Sequence, residues 1–304
     1  MSCNVGSVVE QALRIAATRP EALLAIVGPT ASGKTEIAVE LAARVGGEIV
    51  SADSVQIYRG FDAGSGKPTA AEIARAPHHL VGTVDPTEPV DAAWWADRAA
   101  RAIEDIRARG RVPIVCGGTF LWTKALLFGL APAPRGDPEI RARHHDIVGR
   151  EGRPALHARL RRVDAEIAGR LHPNDFVRVS RALEVHELTG KAMSLWQREH
   201  GFSEVRMPMH VVAPASEPAT LAARIEQRAR AWLGNGWIEE VESLRDRGYG
   251  DARAMGSVGY AQIYAMLRGT IRRDDLALAI VRATRLFARR QRTWLGHVDV
   301  TWLG

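Results

Sequence analysis

Cysteine is almost missing from this chain: Cys3 and Cys116 are the only two in 304 residues. So few and so far apart, they supply neither a disulfide framework nor the paired spacing of a zinc site, and a reducing cytoplasm is the expected setting. Long apolar runs are missing as well. No stretch approaches the roughly 20 residues of a membrane span. Residues 1–20 carry Glu10, Arg14 and Arg19 and no apolar leader core, so no membrane association is expected. Lysine nearly vanishes from the second part of the chain, where Lys191 is the only one after residue 134. Internal repeats and low-complexity tracts are absent.

What is present is an ordinary globular composition, 46% hydrophobic and 25% charged, suited to one main domain with an appended one. The net charge of +6 is unevenly spread: residues 1–134 hold 13 basic and 14 acidic residues, residues 135–304 hold 28 and 21. The whole excess therefore falls in the second part and is carried almost entirely by arginine. A guanidinium offers a planar fork to phosphate and can stack on bases, which suits a nucleic-acid partner. A solvated basic surface has the same composition, and charge alone does not separate the two.

The apolar run 22–28 ends at a glycine and reads as a buried strand. Residues 34–45 then place Ile37, Leu41 and Val45 at helical spacing. A strand is expected at 47–52, a helix at 90–109 with Trp94, Ala102 and Ile106 on one side, and a strand at 111–116 running into Gly117, Gly118 and Thr119. Alternation of this kind implies an α/β fold, a P-loop NTPase-like parallel sheet flanked by helices. The proline-rich stretch 131–138 marks a boundary. Beyond it, 138–200 reads as helices, 205–213 as a strand returning to the sheet, 217–233, 237–247 and 273–295 as helices, and 297–302 as a short last strand. The expected organisation is an N-terminal extension over 1–21, a catalytic core over 22–137 and 202–304, and a helical insertion over 138–201.

The strongest local signal is GPTASGKT at 28–35, which fits G-x-x-x-x-G-K-[ST] between a strand and a helix. Its glycines let backbone N–H groups curl around phosphate oxygens, its lysine adds a point charge, and its threonine offers a hydroxyl to Mg²⁺. The motif recognises a di- or triphosphate and is usual in kinases and nucleotide hydrolases. Such proteins end a later strand in a metal-holding Asp, yet VPIVC runs into two glycines. The nearest strand-end carboxylate is Asp53, in IVSADS, and it could hold metal, act as a base beside the phosphates, or cap a turn. A small-molecule or nucleoside kinase, or an RNA-binding NTPase switch, remains open on these residues alone. His172 lacks a partner at metal-ligand spacing.

Further blocks carry more. SADSVQIYRGFDAGSGKP (51–68), CGGT (116–119), APAPRGDPEIRAR (131–143), HPNDFVRVSRALEV (172–185), RIEQRA (224–229) and VGYAQ (258–262) follow the phosphate loop in order. Together they resemble the tRNA dimethylallyltransferase (tRNA isopentenyltransferase) family over about 22–302. Departures are visible: the family's D-I-G-T-A-K-P stands here as 62–68 with Ala63, Ser65 and Gly66, G-G-T-G-L-Y as 117–122 with Phe120 and Trp122, and Ala261 follows the late Gly-Tyr.

The resemblance implies transfer of a dimethylallyl group from dimethylallyl pyrophosphate to the N6 amine of the adenosine 3′ of the tRNA anticodon. Gly28, Pro29, Thr30, Ala31, Ser32, Gly33, Lys34 and Thr35 would bind pyrophosphate, with Mg²⁺ at Thr35. Asp53 would be the base, and Thr119 and Arg224 would act on the pyrophosphate side, Arg224 ahead of Arg228. Asp53, Ser54, Val55, Gln56, Thr119, Arg141, Val177, Arg178, Val179, Ser180 and Arg181 would meet the anticodon stem-loop. A cytoplasmic monomer is expected.

Overall fold

The structure is a computed structural model that describes residues 5–296 and 298–304; Cys3 and the start of the strand expected at 297 lie outside the described residues. The chain divides into two compact units, 1–127 with 206–304, and 128–205.

In the first unit, α1 (Val5–Thr18), β1 (Leu23–Val27), α2 (Lys34–Val45), β2 (Gly47–Ser51), α3 (Ala70–Arg75), β3 (His78–His79), α4 (Ala92–Ala108), β4 (Val112–Gly117) and α5 (Phe120–Phe128) come first. The second unit holds α6 (Pro138–Glu151), α7 (Arg153–Val163), α8 (Ala165–Arg170), α9 (Phe176–Thr189) and α10 (Met193–His200). The chain then returns with β5 (Met209–Pro214), α11 (Pro218–Leu233), α12 (Trp237–Asp246), α13 (Tyr260–Leu267), α14 (Leu276–Leu295) and β6 (Thr301–Leu303).

The six strands are ordered β3-β2-β4-β1-β5-β6 and every pairing is parallel. The sequence LLAIV of β1 is buried at all five positions, as a central parallel strand covered on both faces requires. Side chains of α1 (Val8, Val9, Ala12), α2 (Ile37, Leu41), the strands (Leu24, Ile49, Ile114, Val212) and Leu303 of β6 form one apolar cluster. Most of the stretch set apart as an extension is thus a helix of the core. The helix α2 ends on Gly46, whose φ of 63° admits the left-handed cap that a side chain would strain.

Two departures from the sequence reading have clear causes. Asp91 caps α4 by accepting from Trp94 N at 2.8 Å, and the register set there buries Trp95, Ala99, Ile103 and Ile106. Trp94 is half-buried, with Arg98 5.1 Å over its ring, so the inward tryptophan is its neighbour. The returning strand starts at Met209 because the amides of Arg206 and Met207 are spent on Leu127 O, at 2.8 and 3.2 Å.

The second unit has its own core of Leu156, Leu160, Ile167, Val179, Ala182 and Leu183. Asp164 caps α8 through Ile167 N at 3.0 Å and also receives Ser194 N at 2.8 Å, which ties α8 to α10.

Candidate active site

The turn between β1 and α2 carries the phosphate loop. Gly33 sits at φ 89° and caps α2 without any side-chain hydrogen bond, so the first amides of the helix are left for an anion. Ala31 holds a left-handed φ of 66°, unusual outside glycine and consistent with a backbone shaped around a ligand. Ser32 Oγ is buried with no hydrogen-bond partner among the described residues. Lys34 Nζ donates to Pro29 O at 3.4 Å. Burial pushes its ammonium below the ordinary lysine value, against the raising charges of Cys116 and Asp53. Cys116 itself is buried, and its thiol is pushed up to about 11.

Asp53 follows β2. Its Oδ1 accepts from Val55 N at 2.9 Å and Gln56 N at 3.2 Å, so the carboxylate caps the 53–56 turn with one oxygen. Thr119, just past β4, receives Ser54 N on its Oγ1 at 3.0 Å and donates weakly to Ser54 Oγ at 3.3 Å. The two strand ends therefore lock together, and Lys34, Thr35, Ser51, Asp53, Gln56 and Cys116 line one cavity. The end of β4 has no room for an acid, because a Cβ on Gly117 would stand 2.1 Å from Ala52 O.

Two arginines of α11 approach the loop. Arg224 is exposed, with its Nη1 4.0 Å from where a Gly33 Cβ would stand. Arg228, set behind it by sequence, makes the closer contact and donates to Thr30 Oγ1. Burial pushes its guanidinium down to about 10, with the Asp53 charge acting in the opposite sense, so it stays charged at neutral pH. Arg228 also lies 4.6 Å over the ring of Trp232.

Gln56 spends its side chain on structure. It accepts from Ser51 Oγ at 3.1 Å and donates to Ser65 O and Gly66 O at 3.2 and 2.8 Å. The loop it holds is the altered 62–68 segment. Glu240 receives the amides of Asp62 and Ala63 at 2.9 and 2.7 Å, and Tyr260 Oη receives Gly64 N at 3.2 Å. A Cβ on Gly64 would fall 1.8 Å from the Trp237 ring and one on Gly66 3.4 Å from Trp232. Trp237 thus requires the glycine that this loop shares with the family pattern, and Trp232 packs at Gly66, one of the positions that lost bulk.

The family model described as IPP transferase matches residues 56–297, and that described as Isopentenyl transferase matches 21–79. A tRNA dimethylallyltransferase of Sorangium cellulosum is 63% identical, covering 95% of this chain and 92% of the relative. A tRNA dimethylallyltransferase 1 of Citrifermentans bemidjiense is 46% identical, covering 92% and 91%. The chain belongs to the IPP transferase family. Among solved structures, the tRNA isopentenylpyrophosphate transferase of Bacillus halodurans aligns with a TM-score of 0.68 at 36% identity, covering 93% of this chain and 89% of that one. A eukaryotic dimethylallyltransferase acting on tRNA gives 0.74 at 25% identity, covering 93% and 74%.

The remaining expected contacts of this IPP transferase lie in its second unit. Glu184 is fully buried there. It receives Arg141 on both oxygens at 2.8 and 3.2 Å, Asp137 N at 2.7 Å and Arg181 Nη1 at 2.5 Å. Burial works to raise this carboxyl, but the hydrogen bonds of Arg141, Arg181 and the Asp137 amide together hold it below the ordinary range. Val179 is buried, and Ser180 is buried with its Oγ 2.9 Å from His144 Nδ1, so these two side chains serve the unit's own core. The outer face of α9 presents Val177 and Arg178, both 74% exposed, with Arg178 3.2 Å from Asp175. Among the described residues no group of three His, Cys, Asp or Glu forms a metal cage.

Sequence reasoning passed over Gln291, which receives Thr30 N at 2.8 Å and donates to Gly118 O at 2.9 Å. No local pattern marks a polar residue on a long amphipathic helix as buried. Its helix face is the buried one of α14, shared with Ala288 and Leu295, and only the fold shows that a polar amide belongs there.

Proposed function

We propose that this protein transfers the dimethylallyl group from dimethylallyl pyrophosphate to the exocyclic N6 amine of the adenosine immediately 3′ of the anticodon in tRNA. The observation that carries the reading is the shared cavity of Lys34, Thr35 and Asp53, next to a strand end that admits no metal-holding acid.

An adenine amine is a poor nucleophile because its lone pair is delocalised into the ring. Asp53 answers this with the carboxylate oxygen that the turn leaves unused: Oδ2 accepts the amine N–H and takes the proton as the new bond forms. The N6 atom bonds to the allylic C1, the C1–O bond breaks, and its electron pair leaves on pyrophosphate. The developing charge falls on the amides at the start of α2, on Lys34 and on Arg228, with Arg224 at the rim. Thr119 keeps the Asp53 turn in place through Ser54 N, and its hydroxyl hydrogen, on a long bond to Ser54, is free to turn to a pyrophosphate oxygen.

Mg²⁺ fits this donor set, since that ion takes one or two protein oxygens together with substrate phosphates and waters. Thr35 would hold it through its hydroxyl, and it would supply positive charge against the leaving group.

The acceptor is read as an anticodon stem-loop, whose unstacked base can be swung out to the enzyme. Two arginines share the single buried carboxylate of Glu184, so the second unit keeps a fixed surplus of positive charge for stem phosphates. We place the reaction in the cytoplasm, where its tRNA is.

The test is to incubate the protein with labelled dimethylallyl pyrophosphate, labelled ATP and unmodified tRNA. The allyl label should move to tRNA. Movement of the ATP γ-label, with no prenyl transfer, would replace this reading by the kinase one.

A further inference from the structure

The buried Gln291 amide touches both halves of the site with two hydrogen bonds. Its Oε1 holds the Thr30 amide of the phosphate loop, and its Nε2 holds the Gly118 carbonyl beside Thr119. It is 6% exposed and stands 261 residues from Thr30. The opposite wall is shaped to receive it, because a Cβ on Gly118 would lie 2.5 Å from Nε2. Thr30 also accepts from Arg228 at its hydroxyl, so its amide is engaged by α14 and its side chain by α11.

We propose that Gln291 is a positioning residue of the transfer reaction, setting the separation between the pyrophosphate loop and the Asp53–Thr119 pair. The inference rests on the proposed function and adds to it a requirement on relative placement. The leaving group is held by the loop after β1, the base by the turns after β2 and β4, and Gln291 spans the gap from α14. A displacement on the order of 1 Å between reacting groups costs up to about a hundredfold in rate, so the burden falls on kcat.

Three variants test this. Gln291→Met keeps the volume and removes both hydrogen bonds; kcat should fall by roughly ten- to a hundredfold, with a smaller change in KM for dimethylallyl pyrophosphate. Amide exchange at Thr30 should accelerate in the same variant. Gln291→Glu in its acid form can still accept from Thr30 and donate to Gly118, whereas its carboxylate cannot donate. Its activity should therefore fall with rising pH where the wild type holds steady. Gly118→Ala should be costly in the wild type and clearly less so in a Gln291→Ala background, where the 2.5 Å clash is gone and only Gly28 O at 3.3 Å must give.

A loss of activity matched only by a smaller folded fraction, with kcat per folded site unchanged, would overturn the proposal, as would additive effects in the Gly118–Gln291 cycle. Failure of the wild type to prenylate tRNA would instead sink the proposed function. The Thr30 exchange and inorganic pyrophosphate affinity of Gln291→Met would still report on the bridge.

Discussion

Asp53 has two oxygens with two duties, and substitution can separate them. Asn at this position keeps an oxygen for the Val55 and Gln56 amides, so the turn survives, but it cannot take a proton. Asp53→Asn should lower the transfer rate by about two orders of magnitude or more and leave tRNA affinity within a few fold. Rescue by added Mg²⁺ in a steady-state assay would reassign the residue to metal. The turn cap of Asp53, one of three readings its residues left open, was legible because its bonds reach only two and three residues along the chain. Gln291 was passed over and Arg228 was set behind Arg224, because their partners on Thr30 lie 261 and 198 residues away and no local pattern encodes such a meeting. Two tryptophans, Trp232 and Trp237, were equally hidden, since their fit against Gly66 and Gly64 exists only after folding.

At the scale of elements, α9 joins two jobs on opposite faces. Its inner face holds Glu184, and its outer face holds Arg178. Glu184→Gln leaves Arg141 and Arg181, 52% and 29% exposed, without their carboxylate, and losing these charge-assisted hydrogen bonds costs about 1–2 kcal/mol. A lower melting temperature at neutral pH is the expected result. The carboxyl is depressed in the folded protein, so its contribution is complete above the ordinary carboxylate range and is lost as pH falls through the depressed value. The gap between variant and wild type should accordingly close in acid. Arg178→Ala removes a 74% exposed charge and should flatten the slope of log tRNA affinity against log salt by about one unit or slightly less. Binding of pyrophosphate should not change. Arg181→Ala mixes this effect with damage to the Glu184 cluster, which is why Arg178 is the cleaner probe. Long elements such as α2 were readable to the residue from Ile37, Leu41 and Val45. The two-residue β3 was not, because His78 and His79 carry no period and pair only through β2.

For the molecule as a whole, strand and helix alternation was enough to foresee a parallel sheet, since consecutive parallel strands need helical crossovers. The strand order was not foreseeable. β4 enters between β2 and β1, and β5 joins the far side of β1 after the second unit has intervened. That intervention has a particular geometry. The chain leaves the first unit at Leu127 and re-enters at Arg206, and those residues are hydrogen-bonded, Arg206 N to Leu127 O at 2.8 Å. Exit and re-entry thus share one doorway, and the catalytic sheet closes whether or not anything passes through it. Replacing 128–205 by a short Gly/Ser bridge should leave a folded protein that still binds pyrophosphate in calorimetry and has lost its grip on tRNA. An unfolded product would show that the sheet depends on what was excised. In evolutionary terms the 128–205 segment behaves as a cassette. Lengthening it adds only a slowly growing loop-closure cost, so further helices can be grafted there without redesigning the first unit.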